Sequence, residues 1–244
     1  MNLNTSQFIL LIVLGIIGAA AIIPYSAALQ GGMALTPRLI VLSILQGAVL
    51  SAVAVWVGLA ASRSLGLNVA TPWAQLPVPI ILGIAAAVLI IVLEVNLFLP
   101  RLPEALTGSA AAGAPGNIAL WKRLLAGLYG GINEELLMRL FLLSGLLWLL
   151  TRIWHGDSGA PIVAAFWTVN IVVAIIFGLG HLPALRGITE ITPLLVGRAI
   201  VLNSVAGVVF GWIFWQYGLA AAMAAHFSAD MVLHVIAPYF FSGL

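Results

Sequence analysis

The sequence predicts an all-α fold, a polytopic transmembrane helix bundle of about seven to eight spans. The first observation is composition, since 63% of the 244 residues are hydrophobic and only 7% are charged. A soluble domain carries about 25% charged residues, so this chain lacks the side chains to cover a soluble surface. The second observation is that the apolar stretches have the length of membrane helices, about 20 residues, and not that of barrel strands with alternating polarity. We therefore expect an integral, multi-pass membrane protein, with the cell membrane as its location.

Seven apolar stretches are expected to cross the membrane. The first has no Lys or Arg before it, so we interpret it as a retained span and not as a cleaved signal peptide. Pro24 and Pro238 fall inside spans, where neighbouring helices can satisfy the carbonyl groups that proline leaves free. The expected spans are residues 7–29, 39–62, 78–99, 121–150, 161–181, 193–215 and 219–240.

A segment of small residues divides the chain into two expected regions. Between Pro100 and Ile118 the sequence is rich in Gly, Ala and Ser, a composition typical of a linker or a re-entrant segment. An eighth, short interfacial helix is also compatible with this stretch. We predict N-terminal membrane spans and a linker over residues 1–118, and a catalytic four-helix membrane core over residues 119–244.

The charged and sulfur-containing residues exclude several functions. Basic residues are scattered singly apart from Lys122-Arg123, so no patch could follow a phosphate backbone and nucleic acid is not an expected partner. The absence of cysteine excludes disulfides, thiolate metal ligands and a cysteine nucleophile.

The loops differ in basic residues, which predicts an orientation. Basic residues favour the cytoplasmic side, so the loops after spans one, three and five should face the cytoplasm and the N-terminus should lie outside. Those loops contain Arg38, Arg101, Lys122, Arg123, Arg186 and Arg198, whereas the opposite loops contain only Arg63 and Arg152.

The fourth span combines small residues with charged ones on a single helical face. Gly127, Gly131, Glu135 and Arg139 follow one another at intervals of four. Small residues at this spacing let membrane helices approach closely, and Glu135 can pair with Arg139 one turn away. Glu134 points about 100° away from Glu135 and has no partner on its own helix, so it is either protonated or held by groups from elsewhere. A plain ion-pair lock between helices would need only one of the two carboxylates.

Two later spans carry histidines. His181 follows Phe177 by four residues and should lie near the end of the fifth span, because Pro183 terminates the helix. His226 and Asp230 lie one turn apart on the last span, so Asp230 could orient His226 or both could bind a metal from one face. His234 extends this stripe by one turn, where a ring near the helix end is the simpler interpretation.

Several protease mechanisms are excluded because their motifs are missing. The sequence contains no His-Glu-x-x-His of zinc proteases, no Gly-x-Ser-x-Gly around a serine nucleophile, and no Gly-x-Gly-Asp of membrane aspartyl proteases. What remains is a set of Glu, His and Asp residues that can activate water.

Three motifs, in this order on successive spans, resemble the CAAX-processing and bacteriocin-processing membrane proteases, the CPBP or ABI family. The resemblance covers about residues 119–236 and consists of Glu-Glu-x-x-x-Arg, Phe-x-x-x-His and His-x-x-x-Asn/Asp. Here these read Glu134-Glu135 with Arg139, Phe177 with His181, and His226 with Asp230.

The resemblance implies an α-helical membrane endopeptidase with a conical cavity. It implies Glu134 as general base with His181 as its partner, His226 and Asp230 as stabilisers of the oxyanion, and Glu135 and Arg139 in support. Many family members have Asn where this chain has Asp230. A charged Asp cannot donate a hydrogen bond to an oxyanion, so Asp230 must be protonated or must act by orienting His226.

The expected substrate is a peptide or protein in contact with membrane lipids, with a lipidated C-terminal tail as the family's best-known target. No cofactor is firmly implied. Some relatives are described as metalloproteases, and a zinc ion, if present, would be bound by Glu134, His181, His226 and Asp230.

Two other functions compete with the protease hypothesis. A proton-coupled transporter could use the same buried Glu, His and Asp residues as a relay, but it would favour repeated halves, and the Glu-Glu-x-x-x-Arg pattern has no repeat in the first three spans. A non-proteolytic binding or immunity factor is less favoured because every catalytic position of the motifs is filled.

Overall fold

The computed structural model describes residues 5–103, 117–156, 161–186 and 189–241, which form helices joined by loops, with no strand among them. The all-α prediction is therefore confirmed. The α-helices are α1 (Thr5–Ala21), α2 (Ile23–Leu29), α3 (Pro37–Ser64), α4 (Pro77–Leu93), α5 (Leu120–Tyr129), α6 (Ser144–Leu150), α7 (Val163–Gly180), α8 (Leu182–Arg186), α9 (Pro193–Tyr217) and α10 (Leu219–Asp230).

Helices α5 and α6 are the two ends of one continuous helix, residues 120–150, which we call the central helix. Its middle is wound as π-helix over Gly130–Glu134 and Leu136–Leu143. Two more π-helical turns extend other spans, Glu94–Phe98 after α4 and Met231–Ile236 after α10. Such turns are rare and often mark functional sites, because they shift side chains around the helix axis.

Six helical stretches of the described residues are long and apolar enough to cross a membrane, so the expected seven to eight spans are slightly too many by this criterion. The central helix does not qualify because it has too many charged residues in its middle, Glu134, Glu135 and Arg139. Most of the expected linker, residues 104–116, lies outside the described residues, and so does any eighth helix there. The six stretches are Thr5–Leu29, Pro37–Ser64, Trp73–Arg101, Val163–Arg186, Pro193–Tyr217 and Leu219–Tyr239.

The first three spans pack closely against the C-terminal helices. Gly58 in α3 lies against the backbone of Leu140, and Gly83 in α4 lies against the backbone of Ala225. A Cβ at Gly83 would come within 2.7 Å of the Ala225 carbonyl carbon, so only glycine allows this approach. One hydrophobic core therefore includes residues from both predicted regions of the chain.

Two helix pairs around the polar residues run antiparallel. In α7 and α9, Ala174 faces Gly207 and Gly178 faces Ile200, which is an antiparallel pairing. The central helix and α10 are antiparallel as well, since Gly127 lies beside Met231 and Gly131 beside Phe227. We call the end of the bundle that holds the start of the central helix and the ends of α7 and α10 the basic end. It carries Arg38, Arg101, Lys122, Arg123, Arg186 and Arg198.

Candidate active site

The two adjacent carboxylates of the central helix occupy different environments. Glu135 is fully buried, with a side-chain exposure of 0%, whereas the Glu134 side chain is 21% exposed. Glu134 ends one π-helical turn and Glu135 lies between that turn and the next. The two side chains therefore leave the helix in different directions and meet different partners.

Glu135 is held by two partners through one oxygen. Its Oε1 lies 2.9 Å from Nη1 of Arg139, which is the ion pair that the i, i+4 spacing predicts. The same oxygen accepts a hydrogen bond of 2.7 Å from Nδ1 of His226 on α10. Glu135 thus connects the central helix to the last span.

Arg139 is enclosed by aromatic rings and a backbone carbonyl. Its Nη2 donates to the carbonyl oxygen of Gly207 at 3.1 Å, and its guanidinium carbon lies 5.1 Å and 5.4 Å from the ring centres of Phe177 and Phe210. The residue is only 1% exposed. Ion pairing, a hydrogen bond and cation–π contacts together offset the cost of burying this charge.

The glycines of the central helix let α10 approach this site. A Cβ at Gly131 would lie 3.0 Å from Cβ of Phe227, and one at Gly130 would lie 3.1 Å from Nε2 of His226 and collide with Oδ2 of Asp230. The face predicted to combine close packing with charge therefore packs against α10 at Phe227, and Gly130, on the face of Glu134, lies against His226 and Asp230.

Glu134 faces two imidazole rings. Its Oε2 lies 3.5 Å from Nε2 of His226, and its Oε1 lies 4.0 Å from Nε2 of His181. His181 directly follows α7, and its Nδ1 donates to the carbonyl oxygen of Phe177 at 2.8 Å, which turns Nε2 toward Glu134. The His181 side chain is 37% exposed, so this part of the site is accessible.

His226 lies between the two carboxylates and is fixed by its surroundings. Its ring stacks on Phe210 with the ring centres 4.7 Å apart, and Nδ1 is taken by Glu135. Its Nε2 faces Glu134 and lies 3.7 Å from Oδ2 of Asp230. The carboxylate that orients His226 is therefore Glu135, a partner that the sequence analysis did not identify.

Asp230 stands between two histidines without a close hydrogen bond to either. Its Oδ1 lies 3.7 Å from Nε2 of His234, and its Oδ2 lies at the same distance from Nε2 of His226. His234 also contacts Tyr25 of α2, with ring centres 5.9 Å apart. The stripe from His226 to His234 thus continues from the site toward the basic end.

The arrangement of the donor atoms does not match a zinc site. Zinc in proteins is bound at about 2.0–2.2 Å by several converging nitrogen or oxygen atoms. Among residues 5–103, 117–156, 161–186 and 189–241, no group of three or more His, Asp or Glu side chains is arranged to hold a metal ion. Glu134, His181, His226 and Asp230, the four expected ligands, are therefore not such a group.

A second buried ion pair was not identified from the sequence. Nε of Arg198 in α9 donates to both carboxylate oxygens of Glu94, at 3.0 Å and 2.8 Å. Glu94 is 1% exposed and ends the otherwise apolar α4. A lone acidic residue at the end of an apolar helix could have indicated a buried ion pair. Its partner could not be predicted, because Arg198 lies on another helix and reaches Glu94 only through the packing of α4 against α9.

Comparison with known proteins gives one match. Residues 116–232 match the family model described as type II CAAX prenyl endopeptidase Rce1-like. No curated protein and no solved structure matches the chain. The matched segment begins before the central helix and includes Glu134, Glu135, His181 and His226. The match supports a CAAX-type intramembrane endopeptidase in general, within an integral multi-pass membrane protein. It also confirms the resemblance to the CPBP proteases, over residues 116–232, just under half of the chain.

Proposed function

We propose that this protein is an intramembrane endopeptidase in which Glu134 activates a water molecule for attack on a peptide carbonyl. One observation carries the proposal: a partly exposed carboxylate lies within 4.0 Å of the side-chain nitrogens of two histidines from two other helices. Buried ionisable groups are costly inside a membrane and commonly mark functional sites.

The attacking water would bind between Glu134 and His181. Their separation of 4.0 Å is too long for a direct hydrogen bond but suits two groups that share one water molecule. As the water oxygen bonds to the carbonyl carbon, Glu134 takes one of its protons. When the carbon–nitrogen bond of the tetrahedral intermediate breaks, Glu134 returns that proton to the leaving amine.

His226 would stabilise the oxyanion of that intermediate. Its Nδ1–H is donated to Glu135, so a second proton on Nε2 makes this nitrogen a donor directed toward the reacting group. A fixed donor in a site with little water contributes strongly to such stabilisation. Asp230, beside the same nitrogen, can add a second donor when it is protonated.

Glu135 and Arg139 would act as positioning residues. Glu135 holds the ring of His226, and Arg139 holds Glu135 while it is anchored to Gly207. Neither needs to touch the substrate. Their contribution is to keep the donor of His226 fixed, because small displacements of catalytic groups are costly.

The substrate would be a peptide or protein whose cleaved segment reaches the site from the basic end. The family model names CAAX prenyl endopeptidases, and a CAAX tail is a lipidated cysteine followed by three C-terminal residues. Such a tail would bring its own membrane anchor to a site built within the helices.

In the proposed mechanism the water is activated by side chains only, which is supported by the lack of a group of three or more described His, Asp or Glu side chains arranged for a metal. Cleavage should therefore continue after treatment with a chelator, and metal analysis of the active protein should find much less than one zinc per chain. Loss of activity with the chelator, restored by added zinc, would contradict this part of the proposal.

The proposal is tested with Glu134→Gln, which keeps the shape of the side chain and removes its basicity. Purified protein in lipid vesicles is given two substrates in separate reactions. One is a peptide that ends in a farnesylated Cys, two aliphatic residues and a terminal residue, and the other is a pool of peptides. The products are identified by mass spectrometry. Turnover should fall by about 10²–10⁴-fold, the usual contribution of a general base. Glu190→Gln, at an exposed position in the loop before α9, is the matched control and should leave turnover unchanged.

Two results would contradict the proposal. Unchanged turnover in Glu134→Gln would exclude Glu134 as the base. Absence of cleavage by the unmodified protein, together with proton flux that Glu134→Gln abolishes, would favour a transporter that uses the same residues.

A further inference from the structure

Arg123, near the start of the central helix, is a buried cation without an anionic partner among the described residues. It is 4% exposed, and no ion pair joins it to a carboxylate of residues 5–103, 117–156, 161–186 or 189–241. Nη1 donates to the carbonyl oxygen of His234 at 3.2 Å, and Nε is enclosed without a hydrogen bond. The guanidinium carbon lies 5.5 Å from the ring centre of Tyr239.

A buried guanidinium that has no carboxylate partner among the described residues favours the binding of an anion. One carbonyl oxygen and one aromatic ring offset only part of the cost of burying a positive charge. Nε and Nη2 form one edge of the guanidinium, and two adjacent donors of this kind bind a carboxylate in a bidentate manner.

A line of polar groups joins Arg123 to the catalytic histidine. His226 Nε2 lies 3.7 Å from Asp230, Asp230 lies 3.7 Å from His234 Nε2, and the carbonyl oxygen of His234 accepts from Arg123. Eight residues of helix separate His226 from His234, which corresponds to about 12 Å at 1.5 Å per residue. An extended peptide covers that distance in about three to four residues, at 3.3–3.6 Å each.

We propose that Arg123 binds the terminal carboxylate of the peptide substrate and thereby selects substrates that end a few residues beyond the cleaved bond. This inference rests on the proposed endopeptidase function and adds a specificity determinant to it. A lipid phosphate is the less favoured anion, because a lipid-binding Arg extends to the membrane surface, whereas Arg123 is enclosed by protein. The carboxylate would enter past Tyr239, a residue that is itself 69% exposed.

The test compares two forms of one farnesylated CAAX peptide, one ending in a carboxylate and one in a carboxamide. The unmodified protein should cleave the carboxylate form with a kcat/KM about 10- to 100-fold higher, mainly through KM, as expected for a charge-assisted bidentate contact. Arg123→Gln should cleave both forms with equal, low kcat/KM. Arg123→Lys should recover part of the preference, because the charge remains while the bidentate geometry is lost.

Controls separate this inference from the proposed function. Lys122→Gln should keep the full preference for the carboxylate, since Lys122 is partly exposed and its Nζ lies over the ring of Trp121. The inactive Glu134→Gln protein should bind the carboxylate form more tightly than the carboxamide, which gives a readout independent of cleavage.

Equal cleavage of the two forms by the unmodified protein would overturn the role of Arg123, while Glu134→Gln could still abolish turnover and support the endopeptidase. A preference that persists in Arg123→Gln would also overturn it. If Arg123→Gln does not fold, the comparison of the two peptides on the unmodified protein still decides the question.

Discussion

Glu134 and Glu135 are neighbours in sequence, yet they belong to two regions of opposite character. We call Glu135, Arg139 and the groups around them the closed region, because both side chains are almost fully buried and joined to other helices. Glu134 and His181 form the open region, where both side chains are partly exposed and no direct hydrogen bond joins them. Two adjacent carboxylates thus have different surroundings: Glu135 holds His226 in place, and Glu134 is the one that the proposed mechanism uses as the base.

The largest loss of stability is expected for Arg139→Met, in the closed region. This change leaves Glu135 buried without its ion pair, and breaking a buried pair from one side typically costs about 3–5 kcal/mol. The free energy of unfolding in detergent, followed by intrinsic tryptophan fluorescence, should fall by that amount, and turnover should fall as well because His226 loses its fixed support.

The matched control for Arg139→Met is Arg152→Met, at the end of the bundle opposite the basic end. Arg152 is exposed and lies over the ring of Trp148, so its loss should cost less than about 1 kcal/mol. If the two variants unfold at the same denaturant concentration, the closed region is not the support that its contacts suggest.

A smaller effect on stability but a large effect on activity is expected in the open region. In His181→Ala, turnover should fall by about 10²-fold or more, because the proposed water loses one of its two partners. The melting temperature should change little, since the ring is 37% exposed and has only one hydrogen bond, to Phe177. His155→Ala, at an exposed position, is the control for removal of an imidazole. A stability loss without a loss of turnover would assign His181 to the support of the fold instead.

The sequence predicted the fold and the spans because apolar length alone decides which segments enter a membrane. Each expected span was found as a helix within a few residues of its predicted bounds, for instance Pro193–Tyr217 against 193–215. The count was too high because the central helix has three charged residues, Glu134, Glu135 and Arg139, within its apolar length.

The sequence predicted a contact of the site that lies within one helix, but not a contact that joins two helices. Spacing along one helix was enough to predict the pair of Glu135 with Arg139. The hydrogen bond from His226 to Glu135 joins residues 91 positions apart and depends on how α10 packs against Gly130 and Gly131. Helical periodicity carries no information about such a contact between helices.

Gly130→Ala, at the boundary of the closed and open regions, is expected to lower stability and turnover by an intermediate amount. The added methyl group would collide with Asp230 and lie 3.1 Å from Nε2 of His226, so α10 must shift. Overpacking of this kind costs about 1–3 kcal/mol, and the shift should reduce turnover more than stability. Gly145→Ala is the control, because nothing lies within 4 Å of the added Cβ. If both variants retain full turnover, the close approach at Gly130 is not needed to align His226.

The smallest expected effect is at the other buried ion pair, in Glu94→Gln. The amide can still accept one hydrogen bond from Arg198, and Arg198 is 27% exposed, so water can compensate for part of the lost charge. The free energy of unfolding should therefore fall by about 1–2 kcal/mol, well below the loss for Arg139→Met. The same unfolding measurement compares the two variants directly. If Glu94→Gln lowers the free energy of unfolding as much as Arg139→Met does, burial from water does not distinguish the two ion pairs. The contact between α4 and α9 would then support the bundle as strongly as the closed region does.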